Sequence, residues 1–121
     1  MQIPADAVLL RVFIGESDHH ESMPLYEAIV RKARQMHLAG ATVLRGAMGF
    51  GRSSRLHTAK LLRISEDLPL VIEIVDARDK IEQFLPILDG MMKGGLVTLE
   101  KADVLLYSGG DGHAIRPHLG R

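Results

Sequence analysis

Residues 7–14, AVLLRVFI, are too short for a typical helix and rich in β-branched and large apolar side chains. They predict a strand in which Val8, Leu10, Val12 and Ile14 share a covered face. From Leu25 the period changes to three and four: Leu25, Ala28, Ile29, Ala33 and Met36 line one side of a helix. Ser22 offers its N-cap before Met23-Pro24, and Gly40 supplies its stop. Ala41 to Met48 alternates again, predicting a second strand that ends in the glycine-rich turn Gly46–Gly51. Residues 52–69, RSSRLHTAKLLRISEDLP, carry four Arg/Lys and no sustained period and end at a proline. They predict a long, partly extended, mobile loop.

Leu70 to Val75, LVIEIV, is a third strand by composition. Asp76 can cap a helix in which Ile81, Phe84, Leu85, Leu88 and Met91 form the apolar stripe, with Pro86 predicted to kink it. Gly94-Gly95 ends that helix. Leu96–Leu99 and Val104–Tyr107 supply the last strand material, with a bend expected over Glu100–Asp103. The glycine-rich tail over 108–121 reads as a flexible extension of a single domain spanning residues 1–107.

The order β-α-β-loop-β-α-β predicts an α+β fold, the ferredoxin-like split βαβ sandwich (βαββαβ). In it a four-stranded antiparallel sheet carries two helices on one face. Leu9, Phe13, Val71 and Val75 then point away from the helices, and such an apolar face is most cheaply covered by subunit association. An oligomer is expected. The second and fourth strands of this topology are the sheet edges.

Composition narrows the function. The chain has 121 residues, 46% hydrophobic and 25% charged, which fits one folded domain and argues against disorder. Fifteen Lys/Arg balance fifteen Asp/Glu, so no basic field draws the chain to a phosphate backbone. Aromatics are 4% and Trp is absent, leaving few stacking platforms for single strands. Nucleic acid is not expected as a partner. Without cysteine, thiolate metal sites, disulfides and thiol nucleophiles are excluded. The amino terminus lacks a basic region before its apolar run, and no run approaches the ~20 residues of a membrane span. The expectation is a cytoplasmic protein without direct membrane insertion.

Gly49-Phe50-Gly51-Arg52-Ser53-Ser54 offers glycines that let backbone approach an anion, a guanidinium able to grip phosphate, and hydroxyl donors. Taken alone, such glycines more often mark a turn. Lys93-Gly94-Gly95 offers backbone amides and an ammonium, against the plainer reading of a helix C-cap with a terminal Lys. Because the two segments adjoin the two sheet edges, association of copies can bring one subunit's first segment against another's second. His19-His20-Glu21 lacks the i, i+4 spacing of a helical two-His metal site, and no metal ligand is assigned. Ser53, Ser54 and Ser65 have no G-x-S-x-G context, so no catalytic residue is assigned and the chain is not read as an enzyme. The basic loop residues Arg52, Arg55, Lys60 and Arg63 suit a solvated segment or an acidic partner surface.

The stretch from Thr42 to Val75 resembles the nitrogen-regulatory PII signalling proteins, through Gly49-Phe50-Gly51-Arg52 closing the second strand, His57-Thr58 in the long loop, and the returning strand Leu70–Val75. The match is closer to their PII-like branch, the domain of unknown function 190 family, over roughly residues 5–107. The resemblance implies a homotrimer with nucleotide clefts between subunits and a partner-binding T-loop. Carried over, Gly49, Gly51, Arg52 and Ser53 fall on the phosphate side of the cleft, Lys93, Gly94 and Gly95 on its other side, and Thr42 near the base. Arg55, His57, Lys60 and Arg63 fall on the T-loop.

The implied ligand is ATP, ADP or AMP, with or without Mg, and the implied partner is an unidentified transporter or enzyme. There are departures. Thr42 to Gly49 is one residue longer than in PII, the glycine loop reads Lys-Gly-Gly-Leu-Val in place of Gly-Asp-Gly-Lys, and Leu61-Leu62 stand where PII carries its modifiable tyrosine. Two other classes stand as alternatives: a small phosphate-ester or acyl-phosphate hydrolase using the same cleft, and a structural or metal-tolerance trimer resembling the CutA proteins, in which the fold is shared and the Gly49–Arg52 segment is idle.

Overall fold

The computed structural model describes residues 6–52, 55–58 and 67–108. Four strands form the main sheet: β1 (Ala7–Gly15), β4 (Thr42–Arg45), β7 (Pro69–Ala77) and β8 (Leu96–Ala102), in the antiparallel order β4-β7-β1-β8. Two short hairpins accompany it, β2 (His19–His20) with β3 (Met23–Pro24), and β5 (Met48–Gly49) with β6 (His57–Thr58). The helices α1 (Leu25–Gln35) and α2 (Arg78–Met91) follow β3 and β7. The fold is α+β, and β4 and β8 are its edges, as the element order predicts.

The period-two pattern of β1 and β7 places the core. Val8, Leu10, Val12 and Ile14 meet Leu70, Ile72 and Ile74 on one sheet face, and Leu25, Ile29, Ile81, Phe84 and Leu88 close over them from the helices. Register is strongly fixed, because a one-residue slip would turn this whole set outward. Leu85 packs against the same core, half-buried.

Several boundaries differ from the sequence expectation. Ser22 does not cap α1: it lies in the β2–β3 turn, where Glu21 has φ 56°, and Pro24 is the N-cap residue. The first helical N–H, of Leu25, donates instead to the carbonyl of Asp18 at 2.7 Å. Gly40 is not the stop. The helix ends at Gln35, His37 takes the left-handed conformation at φ 62°, and Leu38 and His37 donate to the carbonyls of Ala33 and Arg34 at 3.0 Å each. Those two bonds make a Schellman closure, which pays the left-handed strain of a non-glycine residue. Pro86 does not interrupt α2: it lies on the exposed side, where water can satisfy the carbonyl its ring leaves unpaired.

The second strand is shorter than Ala41–Met48. Arg45 pairs with Leu70, the N–H of Gly46 donates to the Pro69 carbonyl at 2.7 Å, and Met48-Gly49 leaves to pair with His57-Thr58. The last strand is a single run with no bend at Glu100–Asp103, because Glu100, Lys101 and Ala102 continue the β1 register opposite Leu9, Val8 and Ala7. The β1–β8 pairing ends at Ala7 and Ala102, and residues 103–107 leave the sheet and are not strand. The tail expected over 108–121 lies outside the described residues apart from Ser108.

Candidate functional site

The outer sheet face, opposite the helices, is organised in rows by the strand register. Leu44, Val71, Phe13 and Leu96 stand side by side across all four strands. The next row is polar, Thr42, Glu73, Arg11 and Thr98, and beyond it Val75 and Leu9 are apolar again, beside Glu100. Arg11 spans its row, donating Nε to Glu73 at 2.9 Å and Nη1 to Glu100 at 2.9 Å. The hydrogen bond to Glu73, then that to Glu100, raises the guanidinium pKa above its ordinary value. Leu9, Phe13, Val71 and Val75 do face away from the helices, as expected, but Leu9 and Val75 are not left open.

Over them runs the segment Asp103–Tyr107. It crosses from the end of β8 toward the α1–β4 loop, and the hydroxyl of Tyr107 donates to the Ala39 carbonyl at 3.0 Å. Between segment and sheet lies a cavity of about 560 Å³, walled by Leu9, Thr42, Glu73 and Val75 below and by residues 103–107 above. Its volume falls within the ~300–1,000 Å³ of small-molecule sites. Thr42, predicted near a base, is exposed at the start of β4 and lines this cavity.

The loop from Ala39 to Ala41, which forms one side of the cavity, is held from the core. Asp76, 1% exposed, accepts the N–H of Ala39 at 2.8 Å and that of Ala77 at 2.6 Å. Asp76 therefore does not serve as the N-cap of α2, a place taken by Ala77; its carboxylate ties the α1–β4 loop to the β7–α2 junction. Lys80 stands 3.9 Å from the same carboxylate and donates to the His37 carbonyl at 2.6 Å.

Gly49, Gly51 and Arg52 lie at the far end of β4 from Thr42, Gly49 in β5 and the other two exposed. Lys93, Gly94 and Gly95 connect α2 to β8 and line a second cavity of about 420 Å³ with Leu85, Met92 and Val97. Two strands separate the edges that carry the two segments, so at ~4.8 Å per strand step they stand on the order of 14 Å apart. One chain does not bring them together. Arg55 is exposed beside β6, which contains His57. Ser53, Lys60 and Arg63 lie outside the described residues.

Packing separates the glycines by role. A β-carbon at Gly95 would stand 2.6 Å from the Phe13 carbonyl oxygen, and its φ is +119°. At Gly49 it would stand 3.1 Å from the Pro69 ring. Gly95 is required by contacts within the chain, whereas at Gly49 the Pro69 ring would have to give by a few tenths of an ångström. At Gly51 and Gly94, as at Gly40 and Gly90, a β-carbon would meet nothing within 4 Å among the described residues.

Sequence reasoning missed the floor and the far wall of the first cavity. Glu73 and Arg11 carried a signal, Arg11 being the one charge in Ala7–Gly15 and Glu73 the one charge in the run Leu70–Val75, which places complementary charges on the outward side of neighbouring strands. Tyr107 and Asp76 carried none, since their partners are 68 and 37 positions away. Among the described residues no group of three or more His, Asp or Glu could hold a metal, and no helix is long and apolar enough to cross a membrane.

This arrangement is the PII-like ferredoxin fold. Over 81% of the chain it superposes on CPII, a nitrogen regulatory PII-like protein from Thiomonas intermedia K12 solved with ADP, AMP and bicarbonate, with TM-score 0.56, 16% identity and 87% of that chain covered. The divalent ion tolerance protein CutA1 of Ehrlichia chaffeensis gives TM-score 0.56 at 8% identity, covering 81% of this chain and 82% of that one. The GlnK–ATP complex of B. subtilis gives 0.52 at 10% identity, covering 84% and 85%. The chain belongs to the DUF190 family (Uncharacterized ACR, COG1993), whose model matches residues 7–104. It is 37% identical over 97 residues to a UPF0166 protein of Aquifex aeolicus (strain VF5), covering 80% of this chain and 91% of that protein. A UPF0166 protein of Methanocaldococcus jannaschii is 31% identical over 104 residues, covering 85% and 94%.

Proposed function

We propose that this protein is a PII-like regulatory protein that binds an adenine nucleotide between subunits of a homotrimer and reports it to a partner protein through the loop over residues 52–69. The observation that carries this reading is the pair of bare glycines, Gly51 and Gly94. They flank opposite sheet edges, each beside a cation, Arg52 or Lys93, and among the described residues neither is packed against its own chain. A phosphate approached by backbone N–H groups explains both. The cavity beside Thr42 combines apolar walls with the Thr42 hydroxyl and the carboxylates of Glu73 and Asp103, groups able to bond the ring nitrogens of a base. Two proteins of this fold, CPII and GlnK, were solved with adenine nucleotides. An apolar row on the outer sheet face, with Leu44 48% and Leu96 56% exposed, gives copies a surface on which to associate.

In this reading the phosphates lie between Gly51-Arg52 of one subunit and Lys93-Gly94 of the next. Ligand contact shifts the 52–69 loop between states of different partner affinity. Arg55, His57, Lys60 and Arg63 supply its polar contacts, and Phe50 and Leu56, 69% and 57% exposed, its apolar ones. No catalytic step is assigned, and the proposed location is the cytoplasm. Isothermal titration with ATP, ADP, AMP and cyclic AMP, with and without Mg, alongside mass in solution, tests it. One saturable site per subunit of a trimer, lost in Arg52→Ala while the trimer persists, is expected. Steady turnover would favour the hydrolase, and a trimer silent to every nucleotide would favour a CutA-like scaffold.

A further inference from the structure

The β1–β7 ladder ends at the pair Gly15 and Pro69. Beyond it the two segments stay joined by other means. The N–H of Glu16 donates to the Leu68 carbonyl at 2.8 Å, and that of Ser17 donates to the side chain of Asp67, at Oδ1, also at 2.8 Å. Asp67 reaches this donor by lying directly on Gly15, where a β-carbon would stand 2.7 Å from Oδ1 and 3.2 Å from the carboxyl carbon. The outgoing limb of the loop over residues 52–69 is tied to the same turn as its returning limb. Arg45, the last residue of β4, donates Nη2 to the Glu16 carboxylate, and the N–H of Gly46 donates to the Pro69 carbonyl. The turn itself is fixed from within: Gly15 donates to Asp18 Oδ2 at 2.9 Å, Asp18 donates to the Gly15 carbonyl at 3.2 Å, and the Asp18 carbonyl holds the first N–H of α1.

We propose that the turn Gly15–Asp18 is a clasp that joins the two limbs of the reporting loop at its base, with Asp67, seated on Gly15, as the releasable catch. Its regulatory role rests on the reading of residues 52–69 as the reporting loop. The Asp67–Ser17 bond is the part of the clasp that opens most readily, because it lies at an exposed site and uses a side chain where the ladder uses backbone. With the catch seated, the chain enters β7 from a fixed direction. Unseated, the returning limb is no longer held before Leu68. Asp67 is a positioning residue here, since it acts by setting the base from which the loop extends.

The test uses the ligand-free full chain and compares wild type with Asp67→Ala, Asp67→Asn, Gly15→Ala and the double variant Gly15→Ala/Asp67→Ala. Amide hydrogen exchange is followed at Ser17, and limited tryptic cleavage after Arg55, Lys60 and Arg63 reports on the loop. Asp67→Ala removes the acceptor and Gly15→Ala drives it off its seat, so each should speed exchange of the Ser17 N–H by roughly 2- to 10-fold and speed cleavage, with circular dichroism unchanged. Asp67→Asn keeps an acceptor oxygen and should stay near wild type. In the double variant Gly15→Ala should add nothing, because the oxygen its methyl would meet is gone. Wild-type exchange at Ser17 in both single alanine variants, or additive effects in the double variant, overturns the catch. Faster exchange with unchanged cleavage overturns its hold on the loop. Neither readout uses a nucleotide, so failure of the clasp leaves the nucleotide reading standing, and nucleotide titrations that fail leave the clasp standing.

Discussion

Gly95 lies against the backbone of Phe13, so closely that a β-carbon on Gly95 would come within 2.6 Å of the Phe13 carbonyl oxygen. Since Gly95 also has φ +119°, both space and backbone conformation forbid a side chain there. Gly94, its neighbour, meets nothing within 4 Å. The pair therefore divides one glycine loop into a half held by packing and a half without packing partners among the described residues.

Gly95→Ala should destabilise the protein by roughly 1–3 kcal/mol, the range for a forced backbone conformation, while Gly94→Ala should stay within about 0.5 kcal/mol of wild type. Urea unfolding curves of the two variants check this. An equal loss in both would contradict the division.

Asp76 accepts the N–H groups of Ala39 and Ala77 at a site 1% exposed. Asp76→Ala leaves the buried Ala77 N–H and the part-buried Ala39 N–H without that partner and should cost about 2–4 kcal/mol, given ~1–3 kcal/mol per stranded buried group. Asp76→Asn, which keeps one acceptor oxygen, should fall between. Thermal unfolding ranks the three proteins, and an Asp76→Ala variant as stable as wild type would remove the carboxylate from its anchoring role.

Phe84 is fully buried between α2 and the sheet, whereas Phe50 is 69% exposed beside the β5–β6 hairpin. Phe84→Ala should cost about 3–5 kcal/mol, and Phe50→Ala should leave stability within about 0.5 kcal/mol. If Phe50 contacts a partner, its loss shows in pull-down of that partner and not in the melting curve. A large stability loss in Phe50→Ala would place it in the fold instead.

Leu96 ends the apolar row that crosses the outer sheet face through Phe13, Val71 and Leu44. Leu96→Asp puts a charge on that row without touching the helix-side core. It should reduce the mass in solution to that of a monomer while circular dichroism stays native, as analytical ultracentrifugation would show. An oligomer of unchanged mass would place the association surface elsewhere.

Much of the fold was legible in the sequence because it depends on periodicity. Val8, Leu10, Val12 and Ile14 at period two, and Ile81, Phe84 and Leu88 at three and four, named the buried faces directly. Element ends were less legible, since they depend on which partner runs out first. The β8 strand stops at Ala102 because its partner strand begins at Ala7, and β4 stops at Arg45 because the chain turns at Gly46 onto Pro69. Likewise α1 ends at Gln35, well before Gly40, because two backbone bonds made a left-handed His37 acceptable.

The sequence by itself determined the α+β class, the helix-facing core and the two glycine segments, because side-chain period and glycine placement are local properties of the chain. Only the tertiary structure decided which glycines are bound by their own chain and which are open, where the cavity beside Thr42 lies, and that Tyr107 and Asp76 meet on the peptide of Ala39. Those are contacts between residues tens of positions apart, fixed by the order and register of the sheet, and no local pattern encodes them.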